Sequence, residues 1–350
     1  MIISIWDGST NEKNQILSLV KNIYKFRTSP DSHFEWMYRN NPYGQGIILL
    51  AKDEKKNNSI IGVEPIIPLN LLVDGQTVKG SLSLGSAVDV DYRGQGIFSK
   101  LVSKLSKVSL NNNIVCIYGV PNDQSFKIFI KNDFRYLGKL PLLVKPLRFS
   151  KYFKQPLSSI LSPFDVVWKI HNKNNQVTQL SESFDQEFVN LISKASKRIR
   201  VLQKRDKEYL QWRYVNHPSH KYRIFILKEK SVLIGYIITR KTEIKGKPVG
   251  VILDFLVDAE IKNKEKLKDL IRFALIDLWN QGVSVAIATC GKNMLENKLL
   301  RQTGFFSIPD LFKPEPLYFI INNFNSKNEN AKKLMIYDNW FFSYGDYDVF

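Results

Sequence analysis

Two cysteines, Cys116 and Cys290, and four histidines are all that the 350 residues offer for thiol or imidazole chemistry. The cysteines lie far apart, each inside an apolar run, which excludes a disulfide framework and a cysteine-rich zinc site and fits a reducing cytoplasm. No metal is expected. Long apolar runs are missing too: no window reaches the roughly eighteen residues needed to cross a bilayer, and the opening MIISIWDGST has no basic stretch leading into an apolar one. A soluble, cytoplasmic protein is expected. No histidine is followed by aspartate at H-x-x-x-D spacing, and neither a G-x-S-x-G elbow nor a G-x-x-x-x-G-K-[ST] loop occurs. Local sequence builds no hydrolase triad and no P-loop.

Acidic residues are also few, 33 against 51 Lys and Arg, so the net charge of +18 predicts attraction to an anion: nucleic acid, membrane surface or phosphorylated ligand. The basic residues are spread along the chain, whereas a nucleic-acid-binding module would gather them in a stripe with exposed aromatics. An apolar content of 44% and an aromatic content of 12% describe an ordinary globular protein. Its length predicts two domains.

The chain repeats itself. FEWMYRNNP (Phe34 to Pro42) is echoed by LQWRYVNHP (Leu210 to Pro218), which pairs Trp36 with Trp212, Tyr38 with Tyr214 and Asn40 with Asn216. SIIGVEPII around Gly62 matches VLIGYIITR around Gly235, and the segment from Asn122 matches that from Asn293. The offset narrows steadily along the chain, as small loop deletions in a duplicated domain would leave it. The paired Trp and Tyr recur in both halves and are read as core packing.

In the first half, IILLAKD, SIIGVEPIIPLNLLVDG and QTVKGSLSLGSAVDV read as successive antiparallel strands with a turn at VDGQ. Ile97, Phe98, Leu101, Val102, Leu105 and Val108 follow at helical spacing, with Lys100, Lys104 and Lys107 on the wet side. NNIVCIYGV reads as a strand buried on both faces, and SFKIFIKNDF as a short amphipathic helix. The second half repeats this order with VGVILDFLV, a helix carrying Leu267, Leu270, Ile271, Ala274, Leu275 and Leu278, VSVAIATC, and a helix from Met294. The expected fold class is α/β of the α+β type, two tandem domains each with a mostly antiparallel mixed sheet flanked by helices. Expected boundaries are 1–150, a Pro-, Ser- and Lys-rich connecting segment at 151–175, and 176–350.

VDVDYRGQGIF (Val88 to Phe98) joins a strand to the first long helix. Exposed N–H groups and the dipole at a helix start attract anions, and glycines let a ligand reach the backbone. A dinucleotide fingerprint would need a third glycine where Ser99 stands. The pattern Arg-x-x-Gly-x-(Gly or Ala) is met by Arg93 and Gly96, with Phe98 in its last place.

On these residues, and on NDQSFKIFIKNDF downstream, the sequence resembles the GNAT superfamily of acyl-CoA-dependent acyltransferases. The resemblance implies that backbone amides of Arg93, Gly94, Gln95, Gly96, Ile97 and Phe98 hold the coenzyme A pyrophosphate, that Val88 faces the pantetheine, and that Asn122 binds that arm or else caps a helix. The second half has no matching loop, so one coenzyme site per chain is expected, with the second half shaping the acceptor pocket. The superfamily's frequent acid, a Tyr seven residues after the Asn, is Phe129 here, which leaves Tyr118, another hydroxyl or solvent to protonate the thiolate. Amides near Ser86 are candidates for the oxyanion; Glu64 and Asp89 are candidate bases, with His33, Asp346 and Asp348 behind them.

The RGQGIF loop with W-x-Y-x-N-x-P is similar to GNAT-type nucleotide-sugar N-acyltransferases of bacterial surface-polysaccharide biosynthesis. This implies acetyl- or 3-hydroxybutyryl-CoA as donor and a dTDP-type amino sugar as acceptor, two diphosphates that suit a basic protein. The alternatives are a tandem-GNAT aminoacyltransferase acting on a peptidoglycan precursor, against which the intact loop argues, and a nucleic-acid-binding module with a vestigial loop.

Overall fold

The computed structural model describes residues 1–24, 30–148, 150, 155–157, 159, 177–180, 183–309, 316–324 and 329–347. Most of the connecting segment expected at 151–175, and Asp348, lie outside them.

After β1 (Ile2–Ile5) and α1 (Thr10–Tyr24), the chain builds a meander from β2 (Ile47–Asp53), β3 (Ser59–Val73) and β4 (Gln76–Ser83). Asp74 and Gly75, at φ of 45° and 79°, form the tight turn that VDGQ predicts. The third expected strand is broken: β4 ends at Ser83 and β5 (Ala87–Val88) resumes alone. Then come α2 (Ile97–Asn111), β6 (Cys116–Gly119), α3 (Asp123–Lys131) and β7 (Arg135–Lys139).

The chain next supplies β8 (Leu143–Pro146), β9 (Val177–Leu180), α4 (Gln186–Ser196) and β10 (Val201–Gln203), then β11 (Arg223–Glu229), β12 (Val232–Ile244) and β13 (Lys247–Val257). It continues through α5 (Lys264–Asn280), β14 (Val285–Ala288), α6 (Leu295–Gln302), β15 (Phe306–Ser307), β16 (Tyr318–Asn323) and β17 (Trp340–Phe341).

Two compact units result. The first comprises Met1–Lys139, Asn216–His220 and Glu315–Asn339, the second Leu140–Val215, Lys221–Pro314 and Trp340–Phe350. The first unit's sheet runs β1-β2-β3-β4-β6-β16-β7, and the second's β9-β11-β12-β13-β14-β8-β15. β4 pairs with β6 and β13 with β14 in parallel, and in both cases a helix crosses over between the strands. The units are therefore not consecutive stretches, as 1–150 and 176–350 would be. β16 hydrogen-bonds between β6 and β7, and β8 between β14 and β15, so each sheet is completed by a strand from the other half of the sequence.

The duplication is visible residue by residue. Both W-x-Y motifs form a π-helical turn, at Glu35–Arg39 and Gln211–Val215. A Cβ at Gly62 would stand 3.0 Å from Ile97 and 3.3 Å from Leu101, and one at Gly235 would stand 3.3 Å from Leu270. The glycine in each half lets the crossover helix lie close on the sheet. Ile97, Leu101, Val102 and Leu105 of α2 are buried in the core with Leu49, Ala51 and Ile66, roughly 1.5–3 kcal/mol for each large side chain. Lys100, Lys104 and Lys107 are exposed. Trp36, Tyr38 and Tyr214 are buried.

Candidate active site

The break between β4 and β5 makes the site. β6 follows β4 through Gly80↔Cys116 and Leu82↔Tyr118, whereas β5 returns to β3 at Gly62↔Val88 and Val63↔Ala87. Between them Gly85 stands at φ of +89°, where a Cβ would also come 3.1 Å from the Tyr38 hydroxyl. Only glycine suits that corner. Among the described residues β3 is the one strand partner of β5, so its other edge faces an opening between diverging strands. Val88, half-buried, lies on that short strand.

Asp89 then starts a 3-10 turn (Val90–Tyr92), its carboxylate accepting from Asp91 N–H at 3.0 Å. This is the turn role, and it occupies the carboxylate that was a candidate base. Arg93, Gly94, Gln95 and Gly96 are exposed, with Gly94 and Gly96 left-handed at φ of 79° and 73°. A Cβ at either glycine meets nothing within 4 Å, so backbone conformation, not crowding, selects them. Gly96 caps α2 without a side-chain bond, and the first bond across it is Lys100 N–H to Gly96 C=O. The N–H groups of Ile97, Phe98 and Ser99 thus have no intrahelical acceptor. Ile97 is buried beneath them, and the Phe98 ring stands edge-on to Phe129 with centroids 5.4 Å apart. The result is an open row of donors at a positive helix end, beside the Arg93 guanidinium, suited to a diphosphate.

Glu64 is the site's buried acid. Fully enclosed on β3, it accepts from Ser83 Oγ at 2.6 Å, while its Oε2 makes no hydrogen bond of ordinary geometry. Burial pushes its carboxyl up to about 7, against the opposing pull of the Ser83 and Ser86 hydroxyls. The repeat provides an internal control. Strand pairing aligns Glu64 with Ile237, Ser83 with Ile252 and Ser86 with Phe255, since Gly62↔Val88 matches Gly235↔Val257 and Ile66↔Ser83 matches Thr239↔Ile252. In the second unit the three matching positions are apolar, while the strand there runs unbroken and carries its own buried acid, Asp254, at the place of Gly85. Ser83 was not singled out from sequence; aligning the two halves strand by strand is the signal that finds it.

Tyr118 lies buried on β6 with its ring edge-on to Phe319. Asn122 caps α3, its Oδ1 accepting from Ser125 N–H at 3.0 Å and from Ser125 Oγ at 2.9 Å. Its side-chain oxygen is occupied, and the residue is exposed. Asn122→Ala is accordingly expected to lower stability by about 1 kcal/mol in chemical denaturation. His33 belongs to the short helix Pro30–Phe34, with its ring 5.4 Å from Trp36. Asp346 is not a candidate base: both its oxygens accept from Arg205 in a buried cluster of the second unit that includes Asp254 and Ser343.

The loop is not duplicated. Asp258 N–H bonds Ile234 C=O at 2.9 Å, as Asp89 N–H bonds Ile61 C=O, so the strands end alike. Beyond that point Asn263 caps α5 by accepting from Glu265 N–H, and Lys194 pairs with Asp258 at 2.7 Å. One donor of the first turn, Glu265 N–H, is thus met internally in the second unit, where the first has a glycine cap without a side chain. Among the described residues no group of three or more His, Cys, Asp or Glu could hold a metal ion, and no helix is long and apolar enough to cross a membrane.

Residues 6–136 match the family model of the acetyltransferase (GNAT) domain. No curated protein matches the chain in sequence. Among solved structures it is similar to a GCN5-related N-acetyltransferase from Anabaena variabilis ATCC 29413 (TM-score 0.65, 11% identity, covering 93% of this chain and 74% of that one). It is also similar to N-myristoyltransferase from Saccharomyces cerevisiae with bound myristoyl-CoA (0.62, 13%, 91% and 82%). A third is a probable N-acyltransferase of unknown function from Enterococcus faecalis V583 (0.62, 12%, 92% and 73%). These likenesses extend over both units, and the chain has the GNAT fold.

Proposed function

We propose that this chain, whose residues 6–136 form a GNAT acetyltransferase domain, is an acyl-CoA-dependent N-acyltransferase that acylates the amino group of a nucleotide-linked, dTDP-type amino sugar. The observation that carries the reading is the open row of N–H donors from Gly94 to Ser99 beside the diverging strands β5 and β6. Those donors and Arg93 hold the diphosphate, Val88 lines the pantetheine path, and the Asn122 amide reaches the same arm. The bound carrier supplies a thioester carbonyl.

At that carbonyl the acceptor amine forms the new C–N bond as the C–S bond breaks. Backbone N–H groups at Ser86 to Val88 stabilise the oxyanion. The Glu64 carboxylate takes the ammonium proton. As an acid titrating near 7 it then returns that proton to the departing thiolate, whose conjugate acid titrates near 8.5. One carboxyl thus serves both transfers, which fits a helix that carries Phe129 in place of a hydroxyl. Acetyl and 3-hydroxybutyryl donors both suit this scheme. The sugar-nucleotide acceptor rests on the resemblance of RGQGIF and W-x-Y-x-N-x-P, and on a charge of +18 that suits two diphosphates.

The test is mass spectrometry of products from a panel of dTDP-amino sugars with several acyl-CoAs. A mass gain of one acyl group on a sugar nucleotide supports the reading. Acylation of peptides or simple amines only would move the acceptor to another class.

A further inference from the structure

Between Asp89 and Ile97 a single residue, Tyr92, is not exposed, and it ties the glycine loop to the body of the first unit. Its ring packs against the hydrophobic core, its hydroxyl donates to Asp53 Oδ2 at 2.6 Å, and Lys56 Nζ lies 5.2 Å from the ring centre. Asp53 is itself fixed, its Oδ1 accepting from Lys55 N–H at 3.0 Å in the turn after β2. The bonds donated by the loop's other long side chains are stretched: Arg93 Nε to Val88 C=O at 3.4 Å and Gln95 Nε2 to Asp91 C=O at 3.5 Å. In this run, with its two left-handed glycines, the Tyr92 phenol makes the short side-chain bond to the sheet.

The second unit again provides a comparison. The β2 and β11 strands align Asp53 with Glu229, and Glu229 also reaches across to the crossover helix, where it pairs with Lys266 of α5. There the tie falls on the first turn of the helix. In the first unit it falls on the loop, upstream of Arg93, and the first turn of α2 is left clear. Tyr92 aligns with Ile261, which has no hydroxyl.

We infer that Tyr92 and Asp53 are positioning residues for coenzyme binding: their hydrogen bond fixes the loop in the conformation that aims the Gly94 to Ser99 amides at the diphosphate. Neither touches the ligand. Their effect is preorganisation, which sets affinity for the carrier and leaves the acceptor site alone. This inference rests on the reading of the loop as the coenzyme site.

The test uses the full chain and coenzyme A itself. Tyr92→Phe keeps the ring and its packing and removes only the O–H, so its melting temperature should stay near that of the unaltered protein. Its Kd for coenzyme A should rise about fivefold by calorimetry. Asp53→Ala should do the same, Asp53→Asn should recover most of the loss, and the double variant Tyr92→Phe, Asp53→Ala should be no weaker than either single one. In turnover assays the KM for acyl-CoA should rise with kcat and the acceptor KM unchanged. An unaltered Kd in Tyr92→Phe, or additive losses in the double variant, would overturn the positioning role while leaving the site intact. A starting protein that binds no coenzyme A would remove the site reading and this inference together.

Discussion

Glu64→Gln should abolish most turnover, a loss of about 10²- to 10⁴-fold in kcat, and at the same time make the protein more stable at pH 8. The carboxyl is fully buried and titrates near 7 instead of 4.5, so the folded state binds its proton more tightly than the unfolded state does. Stability tied to this group is therefore present below pH 4.5, falls as pH rises toward 7, and stays low above it. A shift of that size is on the order of 3 kcal/mol. Glutamine carries no charge and avoids this loss, but leaves an amide N–H where Oε2 has no partner, which offsets about 1 kcal/mol. The net gain at pH 8 is about 2 kcal/mol, and the order reverses near pH 4, where the acid is already neutral. Urea denaturation at the two pH values reads both signs. In the parent enzyme kcat/KM should climb through an apparent pKa near 7; in the variant only the acceptor amine's own limb should remain. A variant as active as the parent would remove Glu64 from the proton path.

The second large effect concerns Gly96→Val, which should eliminate measurable coenzyme A binding, a loss exceeding about 100-fold, while the chain stays folded. At φ of 73° a β-branched residue is strained by roughly 1–2 kcal/mol, and the cap of α2 must rearrange to relieve it. No atom lies within 4 Å of the new Cβ, so the protein itself does not clash with it. The valine methyls would instead occupy the space from which a diphosphate approaches the amides. Calorimetry with coenzyme A, paired with circular dichroism to confirm folding, separates the two effects. Retained binding would take the glycine loop out of the account.

Much of the fold was legible because its signals are local. Lysines at 100, 104 and 107 alternate with the apolar face of α2, VDGQ forms the turn it suggests, and the Gly62 and Gly235 echoes occupy matching places beneath their helices. The glycine loop was legible for the same reason, since a left-handed cap leaves its mark in the sequence. The strand exchange was not: β8 and β16 are short apolar runs whose partners lie more than a hundred residues away, and nothing in their patterns names a sheet. The break at Gly85 was also hidden, because SLSLGSAV alternates like a continuous strand. Glu64 could be named but not ranked; its burial, its Ser83 bond and its apolar counterpart Ile237 appear only once strands are aligned across the two units. Asp89 and Asn122 show the converse, as both carry out the capping role that their residue types favour.

If the amides at the start of α2 receive the carrier's diphosphate, amide hydrogen exchange of the full chain with and without saturating coenzyme A should register it there. Protection should rise at Gly94 through Ser99 and stay unchanged in the matching segment of the second unit, Asn263 through Lys268. Saturable binding that leaves the Gly94 to Ser99 amides exchanging at their ligand-free rate would contradict it.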